Sequence, residues 1–368
     1  MIIGIDGNEA NVEKKVGVST YTLNLLYYFK KKADKNTRFF VYLKKPANNL
    51  PEPSKYFQYK IVKGSFLWSQ IFLPLYLRKH KEIDVLFSPA HYIPRFLNIP
   101  SVVTIHDLSY LYYPQDFLKK DLYQLKNWTE YSLKKAKKII AVSKTTKKDI
   151  IKNYSIPEEK ITVIYNGFEK NIKYQIKDVK NKKIKNPYIL YVGTLQPRKN
   201  IETLIKAFEK FKHFYPEFKL TIAGKKGWLY EKIFELVKDL GLENDIYFTD
   251  YVTDIQLIFL YKNAFCFVLP SFYEGFGIPI LEAMSYSCPV IASFASSLPE
   301  VGGDACLYFD PENVFDLVEK LKLLKEDKKL AKDLIKKGYQ RIKQFSWKKC
   351  ADETLEVIKG SILDKDRT

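Results

Sequence analysis

The sequence predicts an α/β chain of two β/α domains, each a mostly parallel sheet covered by helices. Three observations predict it. The 368 residues are too many for one ordinary core and suit two. Short β-rich runs alternate with helical patterns in the first half, and the alternation restarts in the second. Between them, residues 168–187 (FEKNIKYQIKDVKNKKIKNP) are polar and lysine-rich and end in Pro187. Two such domains joined by a linker imply a cleft, and in such sheets ligands bind beyond the carboxyl ends of the strands.

The expected boundaries are an N-terminal domain over residues 1–170, a linker over 171–187 and a C-terminal domain over 188–345. A closing helix with a polar tail over 346–368 is expected to return toward the N-terminal domain. In the first half, strands are expected over 2–5, 39–42, 84–87, 101–105 and 138–142. A helix fits 17–30, where Tyr21, Leu25 and Tyr28 fall at helical spacing, and another fits 123–137. In the second half, strands are expected over 188–192, 219–223, 246–248, 265–269 and 289–292. Helices are expected over 201–212, 279–286, 314–325, 328–342 and 347–358.

Composition narrows the class. The chain is 46% hydrophobic and 15% aromatic, enough for a sizeable core. No apolar run reaches the ~20 residues that span a bilayer; the longest, over 66–77, is interrupted by Ser69, Gln70 and Pro74. The start, MIIGIDGNEAN, reads as a strand and a turn rather than a secretion signal, so the cytoplasmic side is expected. Cys266, Cys288, Cys306 and Cys350 are widely spaced, form no CxxC pair and read as buried free thiols. Of the net charge of +19, +14 falls in residues 1–170 and +5 in the rest. Either this is a solvated surface, or the N-terminal half meets an anionic partner.

Four stretches carry chemistry. In SFYEGFGIPILEAM, residues 271–284, an apolar strand leads into Glu274, the turn Gly275-Phe276-Gly277 and a helix with Pro279 in its first turn. Free amides at such a helix start favour a phosphate or carboxylate. Glu274 precedes the helix and Glu282 lies inside it, so the two acids suit different parts of one extended ligand. A nucleotide-sugar fits, its hydroxyls donating to carboxylates and its diphosphate meeting the amides. A solvated loop charge and a first-turn acid account for the same two positions. The second stretch, residues 193–200, places Arg198 and Lys199 between a strand and a helix, suited to a diphosphate or to plain solvation. In the third, Gly17 opens the first helix. The GxGxxG pattern is absent there and at residues 275–280, where Ile280 takes the final glycine position, which counts against a dinucleotide site. In the fourth, His106 ends a strand and is either a hydroxyl-binding group or a satisfied structural histidine.

In order along the chain stand GVSTYTLNLL from Gly17, VVTIHDLSYL from Val102, KKIIAVSKTTKKDI from Lys137, ITVIYNGF from Ile161, YVGTLQPRKNIETLIKAF from Tyr191, the stretch from Ser271 and ASSLPEVGGDA from Ala295. Together they resemble the retaining glycosyltransferases of family 4, nearest in tone to the bacterial mannosyltransferase-like members. The resemblance spans about residues 1–350. It implies the GT-B fold, two Rossmann-like domains facing a central cleft, with the acceptor bound by the N-terminal domain and the nucleotide-sugar by the C-terminal one.

Position by position, the resemblance implies that Glu274 contacts donor-sugar hydroxyls and Glu282 the ribose. Arg198 and Lys199 neutralise the diphosphate. Backbone at Gly17 and at Phe276, Gly277 and Ile278 approaches phosphates and sugar, His106 touches the sugar, and backbone near Tyr251 and Val252 flanks the base. Many members carry arginine directly after the strand-end glycine; here Thr194 stands there, and Arg198 is expected to supply that charge. The family retains configuration without an accepted covalent intermediate, which makes Glu274 a positioning group rather than a nucleophile. The donor is expected to be a GDP- or UDP-hexose, GDP-mannose favoured, and the acceptor a glycan or lipid-linked hydroxyl. No metal is expected: the one DxD-like run, Asp364-Lys365-Asp366, lies in the polar tail. Peripheral contact with an anionic membrane is expected through the basic N-terminal domain, aided by Tyr27, Tyr28, Phe29 and Lys30-Lys31-Lys32. The rival readings are a sugar-nucleotide epimerase or phosphorylase on the same plan and, from charge alone, a nucleic-acid-binding protein. No nucleic-acid module appears, so no such partner is expected.

Overall fold

The computed structural model describes residues 1–13, 15, 17–169 and 186–363. All but the last two residues of the expected 171–187 connection, and the run at 364–366, lie outside these. The chain divides into two compact units. One comprises Met1–Tyr112, Leu118–Gly167 and Phe345–Thr368, the other Tyr113–Phe117 and Phe168–Gln344.

The first unit holds β1 (Ile2–Asp6), α1 (Val18–Lys32), β2 (Arg38–Leu43), β3 (Phe57–Ile61), α2 (Phe72–His80), β4 (Val85–Ser88), β5 (Ser101–Ile105), α3 (Ser109–Tyr112), α4 (Lys119–Lys135), β6 (Lys138–Ala141), α5 (Lys144–Tyr154) and β7 (Ile161–Val163). Its seven strands are parallel, in the order β3-β2-β1-β4-β5-β6-β7. Central strands covered on both faces read as continuous apolar runs, as in VLFS of β4 and SVVTI of β5, where every residue is buried. Ser143 caps α5, its side chain accepting from the Thr146 N–H at 3.0 Å.

The second unit holds β8 (Tyr188–Val192), α6 (Ile201–Phe214), β9 (Lys219–Ala223), α7 (Glu231–Asp239), β10 (Ile246–Phe248), α8 (Asp254–Asn263), β11 (Cys266–Leu269), α9 (Ile278–Ser285), β12 (Val290–Ser293), α10 (Leu298–Gly302), β13 (Cys306–Phe309), α11 (Val314–Glu326) and α12 (Lys328–Ile342). Its six parallel strands run β10-β9-β8-β11-β12-β13. On α6, Ile201, Leu204, Ile205, Phe208 and Phe211 fall at the i, i+3, i+4, i+7 and i+10 positions of one helical face and are all buried. The four cysteines are buried and free, and burial pushes the Cys306 and Cys350 thiols up to about 12.

The closing helix α13 (Trp347–Leu363) belongs to the first unit. It adds Trp347, Cys350, Ala351, Leu355 and Ile358 to the core formed by β1, β2 and α1. Gly167 permits this packing, because a Cβ there would meet the Trp347 backbone at 2.2 Å. The membrane-facing set expected on α1 is corrected here. Phe29 is fully buried, stacked 5.3 Å from Phe39 and edge-on 6.3 Å from Phe87, because it continues the stripe of Leu25 and Leu26 that faces the sheet. Tyr27 stays exposed, Tyr28 is half-buried, and Lys32 pairs with Asp352 of α13 at 2.5 Å.

Candidate functional site

In the second sheet the strand order reverses between β8 and β11, and an open α/β sheet forms a crevice at the carboxyl ends of such a pair. Arg198 and Lys199 follow β8 in a 3-10 turn, Pro197–Lys199. Glu274 follows β11. Thus residues 75 positions apart meet: Lys199 Nζ donates to Glu274 Oε1 at 2.6 Å, and Arg198 lies 3.9 Å from Oε2 while donating to the Tyr273 carbonyl at 3.1 Å. Close approach of the flanking chains depends on Gly224 at the end of β9, where a Cβ would lie 1.9 Å from the Gly193 carbonyl oxygen. Thr194 stands in the same turn, its carbonyl accepting from Tyr191 at 3.3 Å.

Serines hold the loop that carries Glu274. Ser271 donates to Glu274 Oε1 at 2.7 Å, and the Glu274 N–H donates to Ser296 Oγ at 2.8 Å. Buried Ser297 Oγ lies 2.8 and 2.9 Å from the Glu274 and Phe276 carbonyls. Asp116 accepts from the Arg198 N–H at 3.0 Å. Nothing in the sequence singles these residues out: Ser271, Ser296 and Ser297 lie inside the stretches from Ser271 and Ala295, and serine is too common in loops to stand out. Asp116 comes from a five-residue segment of the first half that packs on the second unit.

The two acids differ electrostatically. Burial alone would raise the Glu274 carboxyl, but Lys199 and Arg198 overcome it and hold the group below the ordinary carboxylate range. Among the described residues no cation pairs with Glu282. Burial raises its carboxyl, Asp254 adds to the rise, and a hydrogen bond from Tyr261 at 3.0 Å only partly offsets it. One acid is thereby fixed as an anion and the other holds its proton more strongly.

The helix start is as expected within one residue. Gly277 caps α9 with φ +106°, a conformation that favours glycine. Pro279 has no N–H, and that of Ile280 returns to the Gly277 carbonyl at 3.0 Å. Among the described residues the amides of Gly277 and Ile278 have no protein acceptor, which leaves them for an anion. Tyr251 and Val252 lie in the loop from β10 to α8, with Tyr251 53% exposed.

Gly17 and His106 belong to the first unit. Gly17 precedes α1 with φ +42° and open space where a Cβ would be. His106 follows β5 and is 8% exposed. Its Nε2–H donates to the Pro89 carbonyl at 2.7 Å, and Tyr21 packs edge-on at 4.8 Å. Burial and the neighbouring His91 lower its pKa to about 4, so the ring is neutral at pH 7. Among the described residues no three His, Cys, Asp or Glu side chains gather as a metal set, and no helix is long and apolar enough to cross a membrane.

Comparison with known proteins gives the family. Residues 17–171 match the family described as Glycosyltransferase Family 4, and residues 172–341 match Glycosyl transferases group 1. O-antigen chain mannosyltransferase B of Escherichia coli is 33% identical over 307 residues, covering 77% of this chain and 76% of that protein. O-antigen chain mannosyltransferase RfbU of Salmonella typhimurium is 34% identical over 237 residues, 64% of each. Sucrose-phosphate synthase from Thermosynechococcus elongatus superposes with a TM-score of 0.76 over 98% of both chains at 20% identity. WaaG, a glycosyltransferase involved in lipopolysaccharide biosynthesis, superposes with a TM-score of 0.71 over 98% of this chain and 100% of that one at 16% identity. At such identities the structural likeness carries the fold alone. Two family models running end to end over residues 17–341, and a relative one-third identical over three-quarters of its length, establish that the chain belongs to glycosyltransferase family 4, with the two Rossmann-like domains of the GT-B fold.

Proposed function

We propose that this chain is a retaining transferase that moves a hexose from a nucleoside-diphosphate sugar to a hydroxyl of a glycan or lipid-linked acceptor in cell-surface polysaccharide synthesis. The observation that carries the reading is the convergence of Arg198, Lys199 and Glu274 at the strand-order reversal of the second sheet. Cations there suit a diphosphate, and an anion held beside them suits sugar hydroxyls. Two relatives named as mannosyltransferases favour mannose, hence GDP-mannose, over glucose and UDP.

In this reading the C1–O bond to the diphosphate breaks while the acceptor oxygen bonds C1 on the same face, and the acceptor proton passes to the departing phosphate oxygen. Negative charge grows on that phosphate. Arg198, Lys199 and the Gly277 and Ile278 amides stabilise it more in the transition state than in the ground state. No metal is needed for that charge. Glu274 orients the sugar, Glu282 accepts from the ribose, and backbone at Thr194, Phe276, Tyr251 and Val252 frames the phosphates and base. The same reading gives the Gly17 backbone a phosphate and His106 a sugar hydroxyl. A peripheral site on the inner membrane face is favoured by the +14 charge of residues 1–170.

A thermal-shift panel of GDP- and UDP-sugars tests the donor, since a bound donor raises the midpoint by mass action. One sugar nucleotide is expected to stabilise the chain and then to transfer its sugar with retained configuration in excess chelator. Stabilisation by none of the panel, or abolition of transfer by chelator, would count against it.

A further inference from the structure

The first sheet also reverses its strand order, between β1 and β4, so it too forms a crevice at those strand ends. A cavity of about 600 Å³ lies there, within the usual ~300–1,000 Å³ of ligand clefts. Asp6 from the end of β1 and Ser88 from the end of β4 line it, with Glu9, His91, Tyr92 and Trp128.

Asp6 Oδ1 accepts from the Asn8 backbone N–H at 3.2 Å and its side-chain amide at 3.0 Å, and among the described residues Oδ2 has no partner. Burial pushes this carboxyl up to about 6, so an added negative charge nearby is costly. The buried Nδ1 of His91 has no hydrogen-bond partner, and burial lowers the pKa of that ring, which is neutral. Tyr92 and Trp128 meet edge to face at 5.4 Å. These groups fit a neutral, hydroxyl-rich ring: a hydroxyl satisfies the open carboxylate oxygen of Asp6, and the C–H face of the ring packs on the aromatic side chains, while the sealed His91 ring adds no charge. They do not fit an anion. Asp6 and Glu9 repel one, and the two lysines of the cavity, Lys44 and Lys45, are exposed and screened by solvent.

We infer that this cavity is the acceptor-sugar subsite, that it takes a neutral pyranose, and that Asp6 is the residue that sets this specificity. The inference rests on the glycosyl-transfer reading above.

Neutral and anionic glycosides test it on the full chain, by saturation-transfer NMR with and without GDP or UDP. The probes are methyl α-D-mannopyranoside, methyl α-D-glucopyranoside and methyl β-D-glucuronide. At least one neutral glycoside is expected to bind and the glucuronide is not. Asp6→Asn is expected to weaken the neutral glycoside about tenfold, the effect of losing a hydrogen bond to a charged group, with nucleotide affinity unchanged. Trp128→Ala, on helix α4 rather than in the sheet, is expected to weaken it as well. Absence of neutral glycoside binding, equal affinity for the glucuronide, or wild-type binding by Asp6→Asn overturns the inference. Nucleotide binding with no glycoside binding sinks this inference alone. Glycoside binding with no response to any sugar nucleotide sinks the transferase reading and leaves the cavity a sugar site.

Discussion

Lys199 Nζ sits 2.6 Å from Glu274 Oε1, and the same oxygen accepts from Ser271 Oγ at 2.7 Å. The side chains of Lys199 and Glu274 are 15% and 14% exposed, so water screens the pair weakly and each charge depends on the other. The cations thus already have a partner within the site. They hold Glu274 as an anion, and Glu274 keeps them in place.

That division of labour separates two effects of Glu274→Gln. The amide keeps the shape but loses the charge, so sugar orientation suffers, and turnover is expected to fall by about 10²–10³, the scale of losing one preorganised polar group. Lys199 and Arg198 are then freed from a competing anion, so GDP or UDP should bind as well as before or more tightly. Transfer assays beside calorimetric titration of the diphosphate check both directions. Full turnover would remove Glu274 from the positioning role.

Lys199→Met gives a different signature. Loss of its charge at the leaving phosphate is expected to cost about 3 kcal/mol in kcat/KM. It also removes one of the groups that hold the Glu274 carboxyl below its ordinary value. A carboxyl with a depressed pKa stays ionised as pH falls; without Lys199 it takes up its proton at higher pH. The acidic limb of the pH–rate profile should therefore move upward in the variant. An unmoved limb with lowered turnover would mean that Lys199 serves the phosphate alone.

Much of this site was legible in the sequence. Glu274, Gly277, Pro279 and Glu282 fall in one stretch, and chain continuity alone puts the two acids on either side of a helix start. The opposite shifts of the acids were not legible. They depend on Lys199, which is 75 residues before Glu274, and on Tyr261, which is 21 residues before Glu282. The fold shows the same limit. Central strands such as β5 and β8 were read at their observed bounds because both faces are covered. The edge strand β3 (FQYKI) is partly exposed and left no continuous apolar run, and β7 (ITV) is only three residues long. Helix α2 was hidden by Pro74, which falls in its first turn, where the missing N–H costs little.

Gly224→Ala tests the backbone frame of the site. The added Cβ would lie 1.9 Å from the Gly193 carbonyl oxygen, a backbone atom that cannot swing away. Strands β8 and β9 must separate or the turn after β8 must shift. A loss of about 3 kcal/mol is expected, at the upper end of overpacking costs, with weaker donor binding because Arg198 and Lys199 follow that turn. Urea denaturation gives the first quantity and thermal shift with the donor the second. Wild-type stability would show that the close approach is not required.

His106 supplies a pH test confined to the first unit. Its pKa falls from the ordinary 6.5 to about 4, chiefly through burial and secondarily through His91. Between pH 4 and 6.5 the unfolded chain therefore binds the proton more strongly than the folded chain. The contribution of this residue to stability is complete above about pH 6.5 and is lost as pH falls toward 4, by up to about 3 kcal/mol. Asp6 acts in the opposite sense. Its carboxyl is raised to about 6, so it favours the folded state at low pH and that advantage is lost as pH rises from about 4 to 6. The wild-type slope in this window sums these two with other shifted groups, among them His91, lowered by burial, and Glu9 and Glu282, raised by it. His106→Gln removes only its own contribution, which falls with acid, and should make the variant gain stability relative to wild type as pH drops from 6.5 to 4.5. Urea midpoints at both pH values, read as a difference between variant and wild type, measure it. Parallel pH profiles for the two proteins would mean that His106 titrates as freely in the folded chain as in the unfolded one.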